Sequence, residues 1–176
     1  MEKPNEEVEG SIEHPSISTD ILEMVKRDQE MRKTGEMDIE IDKENVEKLK
    51  TIITEIGWPT ELLVGREAAD QVWLIVQHAD QDPEFQKQCL DLIRENTDGL
   101  NEEIGYLTDR VRTNLNQPQL YGTQFGDDKD GNWGPLPIKD IEHLESRRVE
   151  AGFEPNSYEE YKNHMMNLYQ ELKEKE

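Results

Sequence analysis

The chain has little of what would tie it to an oxidising, membrane or nucleic-acid setting. Its one cysteine, Cys89, excludes an internal disulfide and any disulfide framework. Long apolar runs are missing: the longest, Val72 to Val76, falls far short of the roughly 20 residues that a bilayer span needs. Met1 to Gly10 is acidic and has no apolar core of the kind a signal peptide carries, so none is expected. Basic charge is scarce, with 20 Lys and Arg against 41 Asp and Glu, a net charge of -21. Such a field repels phosphate backbones and anionic lipid, which excludes nucleic acid and membrane surfaces as electrostatic partners. A basic protein partner or a cation stays open, and the expected compartment is the cytoplasm.

Several catalytic signatures are also missing. There is no Gly-x-Ser-x-Gly elbow, P-loop, dinucleotide-binding glycine fingerprint or His-Glu-x-x-His pair. The acidic run Asp127 to Asn132 fails as a calcium loop, because Gly126 and Pro137 would stand at its first and twelfth ligand positions. Cys89 sits on an apolar stripe and reads as core. No metal and no cofactor are expected.

What remains is helical periodicity. At 176 residues the chain suits one domain. Residues 1–17 lack an apolar face and read as an acidic tail, 18–170 as one helical domain, and 171–176 as a frayed end. Ser18-Thr19-Asp20 offers a cap for a first helix, with Ile21, Met24, Val25 and Asp28 at helical spacing up to Thr34-Gly35. A second helix is expected from Asp42, with Val46, Leu49, Ile52, Ile53 and Ile56 on one face and Gly57 closing it. A third, from Arg66 to Ala79, is apolar all round over Val72 to Val76 and reads as the central helix. Asp82-Pro83 starts a fourth, because Asp caps free amides and Pro fits the first helical position.

Ile104, Leu107, Val111 and Leu115 mark a fifth helix ending near Pro118. Residues 119–138 read as a small β-hairpin around turn-forming Asp127 to Asn132. A short helix from Asp140 to Ala151 follows, and Ser157 begins the last one, with Tyr158, Tyr161, Met165, Leu168 and Leu172 on its apolar side. The expected fold is therefore mainly α: a single-domain orthogonal helical bundle around a central apolar helix, with a small hairpin.

The candidate site starts from polar residues on that central helix. Gln71, Gln77 and His78 need partners, since a buried polar group left unpaired costs roughly 1 to 3 kcal/mol. Gln71 and His78 lie two turns apart on one side, and Gln77 points about 100 degrees away from His78. Packing against neighbouring helices is as open a reading as a site. His78, Asp80 and Asp82 have poor metal-ligand spacing, and Asp82 is spent on capping. On the fifth helix Asp109 is a second catalytic candidate, and Arg110 is a candidate grip for a carboxylate or phosphate, or else half of an ion pair. Tyr121, Thr123 and Gln124 flank Gly122, which allows close approach of a ligand or another backbone. These residues suggest a cleft around His78 and Arg110 that binds or hydrolyses a small polar or anionic ligand. The alternative is an acidic interaction module of the immunity or antidote kind, without catalysis. Whether the protein is an enzyme stays open, as does its oligomeric state.

The motifs Gln77-His78-Ala79-Asp80 and Tyr121-Gly122-Thr123-Gln124, with Gly57-Trp58-Pro59-Thr60, Tyr106 to Val111 and Arg147-Arg148, resemble an uncharacterised bacterial family of unknown function over about residues 20–165. The resemblance implies a bacterial single-domain protein and brings no activity with it.

Overall fold

The computed structural model describes residues 12–35, 38–97, 99–154 and 157–174. It is mainly helical, with one small two-stranded antiparallel sheet, as the periodicity predicts. Of the expected tail, residues 1–11 lie outside the described residues, and Pro15 to Ile17 are already helix. The chain divides into two compact units, Met1–Ala79 and Asp80–Glu176.

The first unit contains α1 (Pro15–Thr34), α2 (Ile39–Ile56), α3 (Glu61–Val64), α4 (Arg66–Gln71) and α5 (Trp73–Gln77). α1 starts ahead of the expected Ser18-Thr19-Asp20 cap, because Pro15 takes the first position without losing a needed donor. Thr19 accordingly spends its hydroxyl on the Pro15 carbonyl at 3.1 Å. The buried stripe of α1 is Ile17, Ile21, Met24, Val25, Asp28 and Met31, so one of its members is a carboxylate. α2 starts at Ile39 rather than Asp42, because Asp38 caps it by accepting from the Glu40 amide at 2.9 Å. Its stripe is Asn45, Val46, Leu49 and Ile52.

The expected helix over residues 66–79 is two helices. Between them the Ile75 amide donates to the Val72 carbonyl at 3.1 Å, an i to i+3 bond that tightens the turn. α5 ends at His78, whose φ of -98° and ψ of 5° leave the helical region. His78 thus stands at a helix end, where its ring can turn toward other elements. α1 packs against each of the other four helices, and α2 also meets α5.

The second unit contains α6 (Pro83–Asn96), α7 (Glu102–Asn114), β1 (Phe125–Asp127), β2 (Trp133–Pro135), a 3-10 turn (Ile141–His143), α8 (Leu144–Glu150) and α9 (Tyr158–Lys173). Asp82 caps α6 as expected, accepting from the Phe85 amide at 3.1 Å. Asn101 caps α7, accepting from the Ile104 amide at 2.9 Å. In the hairpin Phe125 stands opposite Pro135 and Asp127 opposite Trp133. Its turn is closed by the Asp128 carboxylate, which accepts from the Asp130 and Asn132 amides at 2.8 Å.

Aromatic rings fasten this hairpin to α9: Trp133 stacks on Tyr169 at 4.2 Å between centroids, and Phe125 meets both Trp133 and Tyr161. Phe153 packs against Tyr106 and Tyr121 at 5.3 and 5.5 Å. It lies over Gly105, where a Cβ would come within 2.6 Å of its ring. The expected apolar side of α9 is covered at Tyr158 but not at Leu168 and Leu172, which are 40% and 62% exposed. Among the described residues no helix is long and apolar enough to cross a membrane.

Candidate functional site

The polar side chains fall into two arrays, one in each unit. The first is built on His78. The helix end of α5 carries its imidazole to the buried stripe of α1, where Asp28 is 0% exposed. His78 Nδ1 lies 2.9 and 3.0 Å from the two Asp28 carboxylate oxygens. Arg32, one turn beyond Asp28 on α1, donates from Nε to Asp28 at 3.2 Å and from Nη2 to Asp42 of α2 at 2.7 Å. Gln29 donates to the other Asp28 oxygen at 2.7 Å. Three helices of this unit therefore meet in one cluster.

The geometry chooses a tautomer for His78. Arg32 Nε also lies 2.9 Å from Nδ1, but one ring nitrogen cannot donate to Asp28 and accept from Arg32 at once. Arg32 Nε already has Asp28 as an acceptor, and the charge-assisted bond from Nδ1–H to the carboxylate is the stronger one. Nδ1 therefore carries a proton, and in the neutral form of the ring the lone pair is on Nε2. Nε2 makes no hydrogen bond among the described residues, and the side chain is 18% exposed. Burial alone would push the Asp28 carboxyl up. The hydrogen bond and charge of His78, with Gln29 and Arg32, outweigh it and hold the pKa below the ordinary 3.8. Burial pushes the Asp42 carboxyl up, against the pull of Arg32. Gln71 and Gln77, on α4 and α5, are half-buried in the same unit.

The second array is built on α7 and the segment that follows it. Asp109, 0% exposed, accepts four donors: the amides of Leu120 at 2.6 Å, Tyr121 at 3.1 Å and Thr123 at 3.0 Å, and the Thr123 hydroxyl at 3.1 Å. Burial pushes its pKa up while these donors pull it down. Three of these four donors are backbone amides, which can only donate, yet burial outweighs them and leaves the pKa above the ordinary 3.8. Gln119 holds the same segment from its other side, donating to the Gln124 and Leu136 carbonyls and accepting from the Gln124 amide. Arg148 donates to the Tyr121 carbonyl at 2.8 Å between the rings of Phe153 and Tyr161. Gly122, at φ 73°, has no room for a Cβ, which would lie 2.6 Å from the Tyr158 ring.

Arg110 grips a carboxylate bidentately, and that carboxylate belongs to the chain itself. Its Nε donates to Asp80 at 2.8 Å and its Nη2 to the other Asp80 oxygen, while Nη1 reaches Gln124 Oε1 at 3.3 Å. Asn114 and Gln86 also donate to Asp80, at 2.8 and 3.3 Å. Burial would push the Asp80 carboxyl up, but Arg110, Asn114 and Gln86 together hold its pKa down. Gln124 donates in turn to the Thr123 hydroxyl at 3.0 Å. The structure thus joins Arg110, Asp109, Thr123 and Gln124 into one network and places Tyr121 at its edge. His78, Gln71 and Gln77 belong to the first unit.

Asp28, Arg32 and Asp42 were not singled out from the sequence as site residues. The readable signal was Asp28 itself, a carboxylate on an otherwise apolar stripe, which must find a partner. Among the described residues no group of three or more His, Cys, Asp and Glu side chains could hold a metal ion.

Compared with known families, residues 28–175 match the model of a family described as of unknown function, DUF6624. Neither the curated proteins nor the solved structures contain a match to the chain.

Proposed function

We infer that this chain, which belongs to the DUF6624 family of unknown function, uses His78 as a proton acceptor toward a small polar ligand. One observation carries the reading: the buried Asp28 carboxylate holds Nδ1 of His78, so that Nε2 is the basic nitrogen of a part-exposed ring. In such a pair the carboxylate orients the imidazole and stabilises the imidazolium that forms when a proton arrives. Nε2 would take a proton from water or a ligand hydroxyl, the freed oxygen would attack an electrophilic carbon, and the same proton would pass to the leaving group. The cluster holds two carboxylates against one guanidinium, which favours an uncharged polar ligand over an anionic one.

Gln71 and Gln77 are candidate ligand contacts beside His78. Asp109 and Arg110, the first spent on backbone amides and the second on Asp80, are assigned to shaping the Tyr121 to Gln124 segment. A bacterial, cytoplasmic setting is part of the reading, and the lone buried thiol of Cys89 supports it. The net charge of -21 supports a second reading, in which the acidic surface captures a basic protein. That reading requires binding that weakens steeply with salt and is indifferent to His78.

The test uses the full chain against a panel of neutral esters, amides and lactams, with pH profiles for wild type, His78→Gln and Asp28→Asn. Turnover of one class is expected, lowered about 100-fold or more in His78→Gln. Turnover of none of the panel, or turnover unchanged in a folded His78→Gln, would overturn the proposal.

A further inference from the structure

The hairpin of the second unit has two unlike faces. Side chains alternate along a strand, and the rings of Phe125 and Trp133 pack against Tyr161 and Tyr169 of α9, which leaves Gly126 and Gly134 to the opposite face. Those two glycines stand directly across from one another. Against them lies a cavity of about 570 Å3, lined by residues 126–129 and 132–137. Packing accounts for Gly126, because a Cβ there would meet Leu136 at 3.3 Å. Neither packing nor backbone accounts for Gly134: a Cβ would meet nothing within 4 Å among the described residues, and its φ is not positive. Glycine weakens a strand and is used where a ligand or another backbone comes close. A side chain at Gly134 would occupy the cavity.

We propose that this cavity is a binding site for a small, flat, uncharged ring, which lies on the bare backbone of Gly126 and Gly134. The site is independent of the proton-acceptor reading of His78. Volume, floor and charge each narrow the ligand. Cavities of roughly 300 to 1,000 Å3 hold small molecules, and this one falls inside that range. A floor without Cβ atoms lets a planar face make van der Waals contact over its whole area, where a puckered ring touches at a few atoms. Leu136, Pro135 and Pro137 supply apolar lining. The charges of the lining cancel: Asp128 is spent on the turn amides of Asp130 and Asn132, which leaves one carboxylate, Asp127, and one ammonium, Lys129. An ionic ligand of either sign would meet both.

The experiment titrates 2-naphthalenemethanol into the full chain while the backbone amide resonances of Gly126, Gly134 and Leu136 are followed by NMR. Its saturated decahydro analogue, 2-naphthoate and 2-naphthylmethylammonium serve as controls. Thermal melts of wild type, Gly134→Ala and Gly134→Val accompany the titrations. The expected result is a saturable shift at those three amides with the flat alcohol, weakened about tenfold or more in Gly134→Val and less in Gly134→Ala. The Tm of both variants should equal or exceed that of wild type, because the added atoms enter open space and a β-branched residue suits a strand. No saturable shift in wild type, or unchanged binding by a folded Gly134→Val, would overturn the proposal. Unchanged binding with a lower Tm would make Gly134 a structural glycine. Equal binding of the decahydro alcohol would overturn the flat ring, and equal binding of either ion would overturn the uncharged class. If Gly134→Val does not fold, Gly134→Ala must weaken the flat alcohol at an unchanged or higher Tm.

Discussion

Asp109→Asn separates a structural carboxylate from a catalytic one. In the native protein Oδ1 accepts from the Leu120 and Tyr121 amides, and Oδ2 from the Tyr121 and Thr123 amides and the Thr123 hydroxyl. An asparagine keeps one acceptor oxygen and turns the other position into a donor. If its oxygen stays toward Leu120, the new N–H2 faces the Thr123 amide; if it is flipped, the Leu120 amide is abandoned. The Thr123 hydroxyl can rotate to accept, since it already accepts from Gln124 and has a second lone pair. A backbone N–H cannot. At least one amide is therefore orphaned, costing about 1 to 3 kcal/mol, and the remaining bonds lose their charge assistance. Relief of the buried charge offsets part of this, leaving a net loss of about 3 kcal/mol. For a chain of this size that lowers Tm by roughly 10 °C.

Circular dichroism melts measure the shift, and amide hydrogen exchange at Leu120, Tyr121 and Thr123 locates it. A Tm within about 2 °C of wild type, at the resolution expected for a surface change, with protection unchanged at those amides, would refute the hydrogen-bond argument. A folded Asp109→Asn that lost turnover outright would return Asp109 to the catalytic residues.

Asp28 has a folded pKa below its unfolded value, so the folded state binds fewer protons and the stabilisation is fully present above the unfolded pKa near 3.8. It is lost as pH falls through the lower folded value. Urea melts between pH 2 and 6 are therefore expected to show a steeper acid loss for wild type than for Asp28→Asn, and parallel curves would contradict the assignment. Gly105→Ala gains helix propensity but drives a Cβ to 2.6 Å from Phe153, so a net loss of about 1 to 3 kcal/mol is expected in chemical denaturation, against a gain if the ring moves freely. Burial raises the Cys89 thiol to about 12, so a thiol-reactive disulfide should label it at the rate of unfolding, and rapid labelling of folded protein would count against that burial. Arg110→Lys should lower Tm measurably and more than a solvent-exposed Arg-to-Lys change, because a lysine cannot hold both Asp80 oxygens and Gln124 together; equal melts would show the network to be dispensable.

Local chemistry made much of this protein legible from its residues. Asp82-Pro83 starts α6 because capping needs nothing beyond its own turn. Asp127 to Asn132 makes the hairpin turn for the same reason, and the stripes of α1 and α2 follow the helical period. Where boundaries moved, a local competitor decided them: Pro15 took the start of α1 and Asp38 the cap of α2. The break at Val72 and the exposed Leu168 and Leu172 are different, because periodicity marks which residues can be buried and not what arrives to bury them.

The candidate site divides along the same line. The sequence by itself determined that His78 stands near the end of an apolar helix needing a partner, and that Asp28 interrupts an apolar stripe. That these two satisfy one another across 50 positions was decided by tertiary structure. So was the choice of Asp80, 30 positions away, as the acid that Arg110 holds, and so was the conversion of Asp109 from a free carboxylate into the anchor of Leu120 to Thr123. The physical reason is that a buried charge must be compensated, but any of 41 acids could in principle compensate a given base. Chain packing alone selects which one is near enough.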